Sequence, residues 1–126
     1  VRLKTDLVDL FEACIDRRLA ERDVHWSEQA SVCVVIASGG YPESYEKGKL
    51  IFGLAEADSM EGVKVFHAGT KCEGDDIVTS GGRVLGVTAL GDGLAAACDV
   101  AYAAVDKIKF EGAHFRRDIA AKALHD

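Results

Sequence analysis

Ser31-Val32-Cys33-Val34-Val35-Ile36-Ala37-Ser38, running straight into Gly39-Gly40-Tyr41-Pro42, is the stretch that decides how this chain folds. β-Branched side chains suit a pleated, half-buried strand, and a run of this length is strand-sized. Its end is abrupt. Glycine admits dihedrals closed to other residues and proline cannot continue a hydrogen-bonded ladder, so a sharp loop is expected after a buried strand. Toward the C-terminus the pattern recurs in shorter form. Residues 50–54, 63–67, 77–79 and 84–90 read as strands, separated by turns such as Glu73-Gly74-Asp75 and Ser80-Gly81-Gly82. Their spacing predicts a small antiparallel sheet or barrel.

The flanks are helical. Before the strand, Leu3, Leu7, Leu10, Phe11, Cys14, Ile15 and Leu19 recur at the spacing of an amphipathic helix, with Thr5 placed to cap it and Asp6 and Asp9 at its positive end. Beyond the last strand, Leu94, Ala97, Cys98, Ala101, Val105 and Ile108 keep the same spacing, with Asp92 as the expected N-cap. The many alanines there allow close packing on the sheet. A final short helix is predicted over residues 118–124. All 13 glycines lie between Gly39 and Gly112 and none in residues 1–30, so two kinds of structure are joined in one α+β chain.

Composition narrows the function. With 126 residues, 48% hydrophobic and 29% charged, the chain has the make-up of one soluble domain, short for an enzyme that handles several substrates. No apolar run approaches the roughly 20 residues of a bilayer span, and no signal-peptide core follows Val1-Arg2-Leu3-Lys4, so a cytoplasmic location is expected. A net charge of -6 disfavours nucleic acid and membrane surfaces as partners. Cys14, Cys33, Cys72 and Cys98 form no C-x-x-C pair and read as small buried core residues of a reducing compartment, with no disulfide or zinc role. His25, His67, His114 and His125 are too dispersed to argue for a metal.

Four groups of residues could carry chemistry. Ser80-Gly81-Gly82-Arg83 places a glycine turn, with its backbone N–H groups, beside a permanent cation. That suits a phosphate, and it equally suits a plain hairpin turn with a surface arginine. His67-Ala68-Gly69-Thr70-Lys71 brings an imidazole, a hydroxyl and an ammonium to the end of a strand, where they could hold an anion or simply brace a turn. Tyr41 and Tyr45 pack over the glycine loop or wall a ligand cleft. Arg116 and Arg117 could meet a phosphate or a partner's carboxylates, or cover a helix start and form surface ion pairs with neighbouring acids. No catalytic triad is discernible.

Ala37 to Pro42 with Tyr45 and Lys47-Gly48, then Val65-Phe66-His67-Ala68-Gly69-Thr70, then Gly81-Gly82-Arg83-Val84-Leu85 through Val87-Thr88-Ala89, resemble together one known family. The match continues through Phe110-Glu111-Gly112 and Arg116-Arg117-Asp118-Ile119, and back to Leu3-Lys4-Thr5-Asp6-Leu7. It is similar to the C-terminal part of the phosphoribosylamine-glycine ligase (glycinamide ribonucleotide synthetase) family of ATP-grasp enzymes. Glu43 departs from the pattern, in which another glycine follows Gly-Tyr-Pro.

The resemblance implies a ligase that joins glycine to 5-phosphoribosylamine while splitting ATP to ADP and phosphate, in de novo purine biosynthesis. It implies activation of the glycine carboxylate as an acyl phosphate, with magnesium or manganese, and attack by the sugar amine. It further implies that the N-terminal and ATP-grasp domains, with the nucleotide and metal sites, lie outside this chain. Residues 1–28 would be the closing helix and linker of the ATP-grasp domain, its apolar stripe partly orphaned, and residues 29–126 the C-terminal domain. No catalytic residue and no metal ligand is then expected here, and no cofactor is expected to bind this fragment alone, which should be inactive. Arg83, with Gly81 and Gly82, becomes the first candidate for the substrate phosphate, with Thr70 and Lys71 second. Gly39, Gly40, Tyr41 and His67 become candidate cleft-lining residues. A standalone phosphometabolite-binding module and a structural or interaction domain are the rival readings.

Overall fold

In the computed structural model, which describes residues 1–124, the decisive stretch forms strand β1, Ala30–Ala37. It pairs antiparallel with β5, Arg83–Gly91, which occupies the centre of a three-stranded sheet in the order β1-β5-β2, with β2 spanning Val63–His67. Strand β3, Thr70–Glu73, and β4, Asp76–Thr79, make a separate hairpin around Gly74. The sheet alternative holds; the three strands form an open sheet with β1 and β2 at its edges.

Alternation sorts the side chains by face. Val32, Val34 and Ile36 of β1, Leu85, Val87 and Ala89 of β5 and Val65 of β2 are buried on the inner face. Helix α3, Leu94–Val105, covers that face through Ala97, Cys98, Ala101, Ala104 and Val105. Small residues let it sit close, as the alanine content predicts. The outer face carries Val35 and Phe66, 43% and 48% exposed, in register across Gly86. Among the described residues no helix covers it there. A register shift between Ile36 and Ala37 then turns β1 into the glycine loop.

Several local expectations need correction. Residues 50–54 are not a strand: Leu50 and Phe52 make only isolated bridges, and helix α2, Leu54–Asp58, begins after Gly53, whose φ of +80° ends extended pairing. The first helix, α1, spans Leu7–Ile15 and is capped by Asp6, whose carboxylate accepts from the Val8 N–H at 2.7 Å. Thr5 instead accepts from the His25 N–H and donates to the Asp23 carbonyl, fastening the chain ahead of α1 to the segment after it. Helix α3 starts from extended Gly93, and Asp92 accepts from Gln29 Nε2. The last helix, α4, is only Ala121–Leu124. Only Cys98 is buried; Cys14, Cys33 and Cys72 are exposed, and all four are free thiols.

Helix α1 contacts the 3-10 turn Leu19–Glu21 and buries only Leu10 and Ala13. Leu7, Val8, Phe11 and Ile15 stand exposed, as does Trp26 nearby.

Candidate functional site

The loop after β1 returns to the sheet at the Ser80–Arg83 turn. Ser38 donates its N–H to the Gly82 carbonyl at 2.8 Å and its hydroxyl to the Gly81 carbonyl at 2.9 Å. Ten residues further along, the Gly48 N–H donates to the Thr79 carbonyl at 2.7 Å, and Thr79 and Lys49 exchange backbone and hydroxyl bonds. The loop therefore grips the turn on both sides. From the other direction, the Ala68 and Gly69 N–H groups both donate to the Val84 carbonyl at 3.0 Å, and Ser80 N–H donates to the Gly69 carbonyl. A Cβ at Gly69 would stand 2.5 Å from the Arg83 carbonyl oxygen and 2.8 Å from Gly81 Cα, so only glycine permits that approach.

These contacts enclose a cleft of about 510 Å³ over the outer face of the sheet. Val35, Phe66 and Gly86 form its floor, Tyr41 and Tyr45 one wall, and Ala68, Gly69, Gly82 and Arg83 the other. Arg83 is exposed and is the one charged residue in that lining. It enters no ion pair among the described residues, whereas Arg116 is paired with Asp118 at 2.6 Å and Arg117 with Asp106 at 3.6 Å, as expected for surface arginines. An unpaired guanidinium beside a glycine turn and two aromatic rings can hold an anionic group on a compact body.

The other sequence candidates lie elsewhere. His67 faces away from that cleft, on the row of Leu85, and lines a second recess of about 430 Å³ with Leu54, Asp58 and Lys64. Its Nδ1 is 3.0 Å from Thr70 Oγ1, the turn-bracing arrangement. Lys71 is paired with Glu73 along β3. Asp58 accepts from Lys64 Nζ and from the Val65 N–H, both at 2.8 Å; Lys64 above all, then the Val65 N–H, holds its carboxyl below the usual aspartate value. Gly39 lines a small recess with Ser38, Glu46, Lys49, Glu111 and Gly112, while Gly40, at φ +90°, bends the loop that presents Tyr41. Glu43 does not have positive φ, so it sits in the loop without that strain. His125 lies outside the described residues.

Lys49 bridges Glu46 at 2.7 Å and Glu111 at 3.0 Å, tying the end of the loop to the chain beyond α3. Its hydrogen bonds to Glu46 and then Glu111 raise its pKa, and Lys49 in turn lowers that of Glu46. This brace carries no sequence signal beyond the charges themselves. Among the described residues no three His, Cys, Asp or Glu side chains come together to hold a metal ion, and no helix is long and apolar enough to cross a membrane.

A family model described as Phosphoribosylglycinamide synthetase, C domain, matches residues 31–122, which include every residue of the cleft. The chain belongs to this family. It is 51% identical to the phosphoribosylamine-glycine ligase of Rhodopirellula baltica over 98% of the chain, and 52% identical to that of Chlorobaculum tepidum over 97%. In both cases it spans only about 29% of the relative's length. The crystal structure of phosphoribosylamine-glycine ligase from Thermotoga maritima superposes with a TM-score of 0.69 at 34% identity, covering 87% of this chain and 27% of that one. The phosphoribosylglycinamide synthetase C domain is thus matched here in sequence and in fold.

Proposed function

We propose that this chain is the C-terminal part of an ATP-dependent, cytoplasmic ligase that joins glycine to 5-phosphoribosylamine, yielding glycinamide ribonucleotide, ADP and phosphate. Residues 1–28 belong in this reading to the preceding ATP-grasp body, and the exposed stripe of α1 is the face that meets it. The cleft carries the reading. One unpaired arginine, a glycine turn and two tyrosines converge where the sheet is uncovered, in a member of this family. Arg83 binds the phosphate of phosphoribosylamine, with the N–H groups of the adjoining Gly81-Gly82 turn as further donors. Thr70 and Lys71 take a secondary part if the ligand extends past Gly69.

ATP and its magnesium or manganese ion supply phosphoryl activation of the glycine carboxylate in the whole protein. The described residues do not fit that metal, since no ligand cluster is present among them. Their contribution is to bind and orient the sugar phosphate.

The test uses the full-length ligase. Arg83→Ala raises the KM for phosphoribosylamine by about 30-fold, the loss of one charge-assisted contact, and leaves the KM for ATP nearly unchanged. An unaltered KM for phosphoribosylamine removes Arg83 from the site. The 126-residue chain alone should show no ligation of glycine, and turnover by it would overturn its reading as a part.

A further inference from the structure

We infer that Tyr41 and Tyr45 are positioning residues: their rings clamp Gly82 and so hold the Arg83 guanidinium where its ligand meets it. The inference rests on the reading that Arg83 binds the substrate phosphate, and it goes past that reading by naming what aims the arginine. A Cβ at position 82 would stand 2.1 Å from Tyr41 Cδ2, 2.7 Å from Tyr41 Cε2 and 3.0 Å from Tyr45 Cε1. Two rings therefore lie directly on the glycine preceding Arg83. Their centroids are 6.1 Å apart and tilted by 59°, within the range of favourable aromatic pairing.

Tyr41 remains 39% exposed, so these rings are not placed there by burial in a core. The loop that carries them is fastened to the same turn before and after them, by Ser38 to Gly81 and Gly82 and by Gly48 and Lys49 to Thr79. Lys49, bridged to Glu46 and Glu111, braces its far end. Against this rigid surround, Arg83 has no ion-pair partner of its own among the described residues to orient it. The turn sets the backbone from which the side chain departs, and the two rings lie against that turn. With that backbone already fixed, only the side-chain rotamers remain to be ordered when the arginine meets an anion, which lowers the cost of binding.

The atoms that a Cβ at position 82 would meet are ring carbons, so the positioning is assigned to the rings and not to the hydroxyls. A double-mutant cycle in the full-length ligase tests this. Tyr41→Ala with Tyr45→Ala should raise the KM for phosphoribosylamine by about 10-fold with kcat changed less than about twofold, and Tyr41→Phe with Tyr45→Phe should restore most of that loss. In an Arg83→Ala background the alanine pair should add almost nothing, because the tyrosines act through the arginine. Circular dichroism and thermal melting establish that each variant is folded. Additive effects in the Arg83→Ala background, or failure of phenylalanine to rescue, overturn the positioning role while leaving Arg83 in the site. An Arg83→Ala variant with wild-type KM defeats the functional reading itself and this inference with it.

Discussion

Helices α1 and α3 carry the same kind of apolar periodicity and end in opposite circumstances. Helix α3 buries Ala97, Cys98, Ala101, Ala104 and Val105 against a sheet whose inner face is filled with valine, leucine and isoleucine. Helix α1 buries Leu10 and Ala13 and leaves Leu7, Val8, Phe11 and Ile15 in solvent. The larger side chains belong to the helix with less to touch. Periodicity identifies which residues share a face; it says nothing about what that face meets. On the proposed reading this exposed stripe is the face that meets the rest of the ligase.

The largest expected effect tests the contrast directly. Leu85, 1% exposed at the centre of the sheet on β5, should lose about 3 kcal/mol of stability when replaced by alanine, the transfer cost of its methyl groups plus the cavity left behind. Phe11→Ala in the same 126-residue chain should change stability by less than about 0.5 kcal/mol. Urea titration of both variants decides the matter. Comparable losses would mean that α1 is part of the core and that the two regions do not differ as described. On the proposed reading, Phe11→Ala should cost much more in the full-length ligase, where the stripe would meet the ATP-grasp body.

A smaller effect sharpens the same boundary. Removing residues 1–28 should shift the unfolding free energy of the remainder by no more than about 1 kcal/mol, the scale of a few partly buried contacts. The segment is fastened largely to itself, through Leu3 with Trp26, Lys4 with His25 and Thr5 with His25 and Asp23. A collapse of cooperative unfolding on truncation would place the segment inside the folding unit.

Much of the sheet is legible in the sequence because its side chains alternate. Strand β2 coincides with the predicted run 63–67, and β4 and β5 begin within one residue of expectation. Strand β3 is not legible: Thr70, Lys71, Cys72 and Glu73 are polar or exposed and are held as a strand only by the hairpin partner. Helix α2 escapes a sequence reading because an apolar run of five residues carries no reliable period, and Gly53 breaks it. The cysteines mislead for a related reason. Cys33 sits between inward-facing Val32 and Val34, so strand alternation itself sends it outward, and residue type alone is the wrong guide. At the site, the glycine turn and Arg83 stand out as a local motif. Their union with Tyr41 and Tyr45 spans some forty residues of chain and is closed by backbone bonds from Ser38 and Lys49, which no local pattern encodes.

The smallest expected effect concerns acid. Asp58 links α2 to β2 by accepting from Lys64 and from the Val65 N–H, and these bonds lower its pKa in the folded state. A carboxyl with a depressed folded value adds stability that is complete above its unfolded value, near 4, and is lost as pH falls through the folded value. Melting temperature measured from pH 5 down to pH 2.5 should therefore decline, and Asp58→Asn should make that decline shallower. The effect is modest because the pair is largely exposed. Since Asp58 lies on the cored side of the molecule, truncating residues 1–28 should leave its part of the acid response in place. If truncation abolished the difference between the wild-type chain and the Asp58→Asn variant, the two regions would be coupled through α2 and the contrast between α1 and α3 would lose its basis.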